Sequence, residues 1–137
     1  NIDLKWPGTT SGGITVMFDD FILYRYADVI LMKAEAKNGL GQNPAEEINK
    51  IRQRAYGAKF ANYTFVNGTK EANDEAILQE RLFEFLNEGK RWWDLVRFNK
   101  ALEKVPLLKG KTQNDLLYPI SETILSLEPL VKQNPGY

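Results

Sequence analysis

The sequence predicts an all-α fold of antiparallel, tetratricopeptide-like helix pairs, with an irregular N-terminal segment and an irregular C-terminal tail. Three observations lead there. Apolar residues recur at three and four positions over four separate stretches, the period of a helix with one buried face. The links within each pair are short enough to force an antiparallel return. Helix-ending residues punctuate the pattern at Gly39, Gly57, Gly89 and Pro106.

Residues 1–19 lie outside this pattern. Pro7-Gly8-Thr9-Thr10-Ser11-Gly12-Gly13 reads as a turn or loop, and Ile14-Thr15-Val16-Met17-Phe18 as a short extended stretch that needs a partner strand. The segment is expected to be the remnant of a truncated upstream region, with residues 20–137 forming the helical domain. The first helix is expected from Asp20, a suitable N-cap, to Asn38-Gly39, with Leu23, Tyr26, Ala27, Ile30, Leu31 and Ala34 on its apolar face. The second opens on Asn43-Pro44-Ala45-Glu46: a capping side chain, a proline at the first helical position and a glutamate three residues after the cap. It runs to about Tyr56, with Ala45, Ile48, Ile51 and Ala55 inward and the stem of Arg52 alongside.

A polar loop over residues 58–72 carries Phe60, Tyr63 and Phe65. Asn73-Asp74-Glu75 then caps a third helix whose face is Leu78, Leu82, Phe85 and Leu86. A fourth begins near Arg91 and places Trp92, Leu95, Val96, Asn99 and Leu102 at helical spacing before Pro106. Leu116-Leu117-Tyr118-Pro119-Ile120, a short helix opening at Ser121 and an irregular tail from Glu128 to Tyr137 complete the chain. The third helix starts about 50 residues after the first, against about 34 in tetratricopeptide repeats, and the 58–72 loop accounts for the excess. Such arrays normally need about three repeats, so two pairs read as part of a longer stack.

Composition narrows the chemistry. Across 137 residues, 43% hydrophobic content supports a packed core, and eighteen basic against eighteen acidic side chains remove the electrostatic footprint of a nucleic-acid binder. The chain holds neither cysteine nor histidine, which excludes Ser-His-Asp and Cys-His catalysis, thiolate zinc sites and disulfides within it. Gly8 to Gly13 lacks the Lys-Ser/Thr ending of a phosphate loop, and Asp19-Asp20 falls short of the six to eight oxygens that calcium requires. No cofactor is expected.

The wording of the helices carries more than their period. Arg25-Tyr26-Ala27-Asp28-Val29-Ile30-Leu31-Met32-Lys33-Ala34-Glu35-Ala36 stands on the first helix and Ile48-Asn49-Lys50-Ile51-Arg52-Gln53-Arg54-Ala55 on the second. A third block runs from Ala76-Ile77-Leu78-Gln79-Glu80-Arg81 through Glu84 to Glu88-Gly89-Lys90-Arg91-Trp92-Trp93-Asp94-Leu95-Val96-Arg97. The chain closes with Tyr118-Pro119-Ile120 and Gln133-Asn134-Pro135-Gly136-Tyr137. In this order the blocks resemble the C-terminal portion of the SusD/RagB family. The resemblance implies a helical protein of several hundred residues, tethered to the outer membrane of Bacteroidetes-type bacteria through a lipidated N-terminal cysteine. It further implies a SusC-like TonB-dependent transporter as partner and an oligosaccharide or polysaccharide ligand, or in some members a peptide. Membrane contact would come only through that lipid anchor, which this sequence does not contain.

Aromatic rings stack on the apolar faces of sugars, so Trp6, Tyr63 and Phe65 are the candidate ligand-binding residues. Phe60, Trp92 and Trp93 share the chemistry, but the two tryptophans sit inside a helical block and are assigned to packing. In proteins that the chain resembles, glycan contacts come mostly from regions upstream of this segment. Arg25, Asp28, Glu35, Arg52, Glu80, Arg81, Glu84, Arg91, Asp94 and Arg97 lie on helix faces as mixed charges, an arrangement expected of ion pairs that lock helices together rather than of a glycosidase carboxylate pair. Arg91→Ala and Asp94→Ala are therefore expected to impair folding. The function expected is non-catalytic nutrient capture. A tetratricopeptide-like protein-interaction module is the rival, and a glycan-processing enzyme ranks last.

Overall fold

The computed structural model describes residues 8–16 and 22–137. Met17, Phe18, Asp20 and Trp6 lie outside the described residues.

The N-terminal extended stretch finds its partner locally. Strands β1 (Thr9–Ser11) and β2 (Ile14–Val16) pair antiparallel, with Thr9 opposite Val16 and Ser11 opposite Ile14. Gly12 and Gly13 link them with φ of 60° and 79°, the left-handed pair that a two-residue hairpin turn demands. The turn or loop expected at these glycines is thus a hairpin turn, and the partner strand that Ile14–Val16 needs is Thr9–Ser11.

Helix α1 spans Tyr26–Gly39, starting later than the Asp20 expectation. The Asp28 carboxylate accepts from the backbone N–H of Arg25 at 3.2 Å, fixing the first turn there. Leu23 consequently precedes the helix and is exposed, and Tyr26 points outward, its hydroxyl accepting from Lys50 Nζ at 3.2 Å. Ala27, Ile30, Leu31 and Ala34 are buried as the period predicts. Helix α2 covers Ala45–Tyr56, and Asn43 Oδ1 accepts from the Ala45 N–H at 2.9 Å. Ile48 and Ile51 face α1, whereas Ala55 is exposed. Glu46, expected to reach back to the cap, is exposed beside Lys37; Glu47 turns inward instead.

The loop after α2 is more ordered than expected: Gly57–Tyr63 forms a 3-10 segment. Helix α3 (Lys70–Glu84) begins a turn before the expected cap, because Thr69 accepts from the Ala72 N–H at 3.2 Å. Asn73 is buried and otherwise engaged. Its amide donates to Asn38 Oδ1 at 2.9 Å and Asn67 Oδ1 at 3.0 Å while its oxygen accepts from the Gly68 N–H at 2.9 Å. Leu86 lies past the helix end and is exposed, so Ile77 takes its place on the buried face with Leu78 and Phe85.

The expected fourth helix is two. Helix α4 spans Arg91–Arg97 and α5 spans Ala101–Lys104. Asn99 at φ 56° breaks them, and the Lys100 N–H returns to the Leu95 carbonyl at 2.7 Å, which is the left-handed helix ending in which asparagine can substitute for glycine.

Helix α1 is central. Contacts from Tyr26 to Lys50 at one end and Lys37 to Glu46 at the other set α2 antiparallel to it. Contacts from Arg25 to Glu84 and from Asn38 to Asp74 do the same for α3. Ala27, Ile30, Leu31, Ile51 and Phe85 form one core cluster; Ala34, Ile48 and Ile77 form a second, with Phe65 and Phe98 against it. Leu78, Leu95 and Ala101 make a third under α4 and α5.

Beyond it the chain turns through helix α6 (Glu122–Leu127), capped by Ser121. The terminal motif then fastens onto the Leu117–Ile120 strip. Gln133 brackets Ile120, accepting from its N–H at 2.8 Å and donating to its carbonyl at 2.9 Å. Asn134 donates to the Tyr118 carbonyl at 2.6 Å, and the Tyr137 hydroxyl to that of Leu117 at 2.8 Å.

Candidate functional site

The packing of α1 against α3 and α4 brings together charges far apart in sequence. Arg81 Nε pairs with Asp94 at 2.8 Å, and its Nη2 lies 3.7 Å from Asp28. Lys90 closes on Asp28 at 3.2 Å, and Arg97 bridges Asp94 at 2.9 Å and Glu35 at 2.7 Å. Hydrogen bonding from Glu35, followed by that from Asp94, holds the Arg97 guanidinium well above its ordinary value against the opposing effect of burial. On the other side of α3, Arg25 binds Glu84 and Glu88, Arg54 binds Glu84, and Arg52 binds Glu80 at 2.7 Å. This is the interhelical lattice that the sequence predicts, with one correction: Arg91 pairs with no carboxylate among the described contacts and instead donates to the Leu78 carbonyl at 2.9 Å.

A second lattice joins α1 to α2. Glu47 is buried and receives Lys33 at 2.8 Å and Lys37 at 2.7 Å. Burial alone would raise its carboxyl, and the hydrogen bonds from Lys33 and Lys37 outweigh that effect and lower it below its ordinary value of 4.5. A carboxyl held low in the folded state contributes stability that is present above its unfolded value and lost as pH falls through the folded one. Urea midpoints are thus expected to drop as pH falls below the ordinary value of 4.5 and through the lower folded one. Glu47→Gln should flatten part of that fall while lowering the midpoint at neutral pH; an identical pH profile in the variant would refute the assignment.

The first lattice floors a cleft of about 750 Å³. Tyr24, Met32 and Ala36 line one wall, Trp93, Arg97 and Phe98 the other, with Lys70 and Asp74 at one end. Each carboxylate along it is engaged by a cation: Asp28 by Lys90, Glu35 by Arg97, Asp74 by Lys70 and Asp94 by Arg81. Among the described residues, no three potential metal-ligating side chains converge.

The described sequence-derived candidates, Tyr63 and Phe65, lie elsewhere. Tyr63, 45% exposed, ends the 3-10 segment and stacks on Tyr56, with ring centroids 4.0 Å apart and planes 7° from parallel. Phe65 is partly buried against Ala34, Ile48 and Ile77, and Asn49 holds both its N–H and its carbonyl, at 2.7 and 3.0 Å. Trp6 lies outside the described residues. Trp92 packs against the third core cluster as assigned, but Trp93 does not follow it inward: 61% exposed, it forms a wall of the cleft. Trp93 stands two positions before buried Leu95, about 200° round the helix, which turns its ring away from the face that Leu95 buries.

Comparison with known proteins places this architecture. The family model described as the SusD family matches residues 7–116. A SusD-like protein of Formosa agariphila is 41% identical, over 98% of this chain and 28% of its own length. The starch-binding protein SusD of Bacteroides thetaiotaomicron is 29% identical, over 98% of this chain and 25% of its own length. Among solved structures, B. fragilis NanU superposes with a TM-score of 0.70 at 38% identity, covering 96% of this chain and 30% of that one. A SusD superfamily protein from Bacteroides vulgatus gives 0.71 at 39% identity, covering 97% and 32%. The chain thus spans about a quarter to a third of the length of these relatives. With the family model matching most of its residues, and with helix pairs and interhelical ion pairs laid out as the sequence blocks imply, the chain belongs to the SusD family.

Proposed function

We propose that these residues form the C-terminal helical part of a longer, non-catalytic nutrient-binding protein of the outer membrane. It captures glycans and presents them to a SusC-like TonB-dependent transporter, and is itself tethered by an N-terminal lipid. The observation that carries this proposal is the similarity, along nearly the whole chain, to the starch-binding protein SusD of Bacteroides thetaiotaomicron. The cleft supports the absence of chemistry, since its carboxylates are bound by arginine or lysine where acid-base hydrolysis needs a pair with one member free to donate a proton. Trp6, Tyr63 and Phe65 are the proposed sugar-stacking rings of this segment, with Tyr63 the most accessible of the two described.

The test is affinity electrophoresis of the full-length protein through gels cast with starch and a panel of other polysaccharides. Retardation in at least one gel, with no new reducing ends after incubation, is the expected result, and Tyr63→Ala should reduce it. Release of shortened glycan would overturn the non-catalytic assignment, and free migration in every gel would overturn glycan capture.

A further inference from the structure

The chain contains two Asn-Gly pairs, Asn38-Gly39 and Asn67-Gly68. Glycine has no side chain to obstruct its own backbone nitrogen, which in such a pair can attack the asparagine side chain before it. The nitrogen gives its proton to solvent base and bonds to the asparagine Cγ. The bond from Cγ to the side-chain nitrogen breaks, and ammonia leaves with a proton taken from water. A second water opens the resulting succinimide ring to aspartate or isoaspartate. Water is the one co-reactant, so the surroundings of each pair set its rate.

The two pairs lie on different elements and converge on one side chain. Asn73, 3% exposed, donates from its amide to Asn38 Oδ1 at 2.9 Å and to Asn67 Oδ1 at 3.0 Å. Its own oxygen accepts from the Gly68 N–H at 2.9 Å. At Asn67-Gly68, Asn73 therefore grips both reacting groups: the nitrogen keeps its proton in a hydrogen bond, and the Cγ is fixed through its oxygen. Asn67 and Gly68 are themselves exposed, so solvent base and water reach them and these hydrogen bonds are the barrier. Asn38 is locked further. It is 2% exposed, sits in the last turn of α1, and donates to the Lys70 carbonyl at 2.9 Å and to Asp74 Oδ1 at 2.7 Å.

We propose that Asn67 is a site of spontaneous deamidation gated by Asn73. Reaction requires the start of α3 to open and draw Asn73 away from the Gly68 N–H; Asn38 is the silent pair. The consequences differ as well. A carboxylate at position 67 still offers an oxygen to Asn73 and adds its charge at the surface, while isoaspartate lengthens the backbone between the 58–72 loop and α3. A carboxylate at position 38 would face Asp74 inside the α1–α3 seam, where like charges repel. The proposal is independent of which ligand the protein binds, so glycan retention neither supports nor removes it.

The test incubates the full-length protein at mildly alkaline pH, folded or in urea, and follows deamidation at each asparagine by peptide mapping with mass spectrometry. In urea both pairs are expected to react at comparable rates. In the folded protein Asn67 should react at least about tenfold more slowly than in urea and Asn38 more slowly still, with the Gly68 amide protected from hydrogen exchange. Asn73→Ala should return the Asn67 rate to within about threefold of that in urea, while Asn38, which keeps Lys70 and Asp74, stays slower. An unchanged far-ultraviolet circular dichroism spectrum identifies a folded variant. Asn73→Ser, too short to grip Gly68 and Asn67 together, is read in the same way should the alanine variant not fold. Folded wild type that deamidates at Asn67 as fast as in urea would overturn the gate. So would a folded variant that deamidates there no faster than wild type.

Discussion

Asp94→Ala is expected to cost about 3–5 kcal/mol of folding stability, the range for breaking a buried ion pair from one side. Arg81 is the reason. Its side chain is only 5% exposed, and Asp94, 2% exposed, is among the described residues its one carboxylate within 3 Å, since Asp28 lies 3.7 Å away and is shared with Lys90. Removing the Asp94 carboxylate strands a guanidinium that cannot shed its proton and is nearly buried. Arg97 loses a contact as well, but it retains Glu35 and is substantially exposed, so little of the cost arises there. Asp94→Asn separates charge from shape: the amide fills the carboxylate's place beside Arg81 without its charge, so this variant should recover a minor part of the loss. Urea unfolding at neutral pH provides the measurement. An Asp94→Ala midpoint equal to wild type would show that the pair is solvated in solution and would remove the lattice from the account of stability.

The same residues show what sequence alone could and could not reveal. Mixed charges at helical spacing announced an ion-pair lattice, because arginine and carboxylate side chains on apolar helix faces have few alternatives once buried. The partners were another matter. Arg81 meets Asp94 and Arg97 meets Glu35 only because α3 returns along α1 and α4 folds back over both. Arg91, which looked the same in sequence, reaches a carbonyl instead. Helix ends divided similarly. Gly57, at φ 52°, stops α2 in the left-handed region that glycine adopts without penalty, so that end was legible, whereas α3 already ends at Glu84, five residues before Gly89. Thr69 and Asn99 were not, because threonine caps weakly by composition alone and asparagine at φ 56° looks like any polar helical residue until the backbone is seen.

The cleft was the least legible feature. Its walls come from residues 24–36 and 93–98, joined by no motif and by no shared period. Trp93 carried the one local clue, since it lies two positions, about 200°, from Leu95, whose face the helix buries. Loop aromatics such as Tyr63 drew attention because rings in polar loops stand out in a sequence. Phe65 shows the limit of that rule: Asn49 ties its backbone to α2, and the loop thereby delivers the ring to the core.

Leu31→Ala is expected to lose about 2–5 kcal/mol, and the surroundings place it in the upper half of that range. Leu31 is fully buried at the centre of α1, in the cluster with Ala27, Ile30, Ile51 and Phe85. The cost of a cavity depends on how far neighbours can move into it. Phe85 supplies the ring of that cluster among the described residues, and it is held in place: the guanidinium groups of Arg25 and Arg81 each lie 4.8 Å from its centroid, and both are fixed by buried carboxylates. Ile51 is held by α2, whose own position is set by Glu47 and its two lysines. The ion-pair lattice and the apolar core are therefore coupled, the charges acting as a frame that prevents the core from collapsing around a lost side chain. Combining Leu31→Ala with Arg25→Ala, which frees Phe85, should then cost less than the sum of the two single losses. Strict additivity in a double-mutant cycle followed by urea unfolding would show that frame and core act independently.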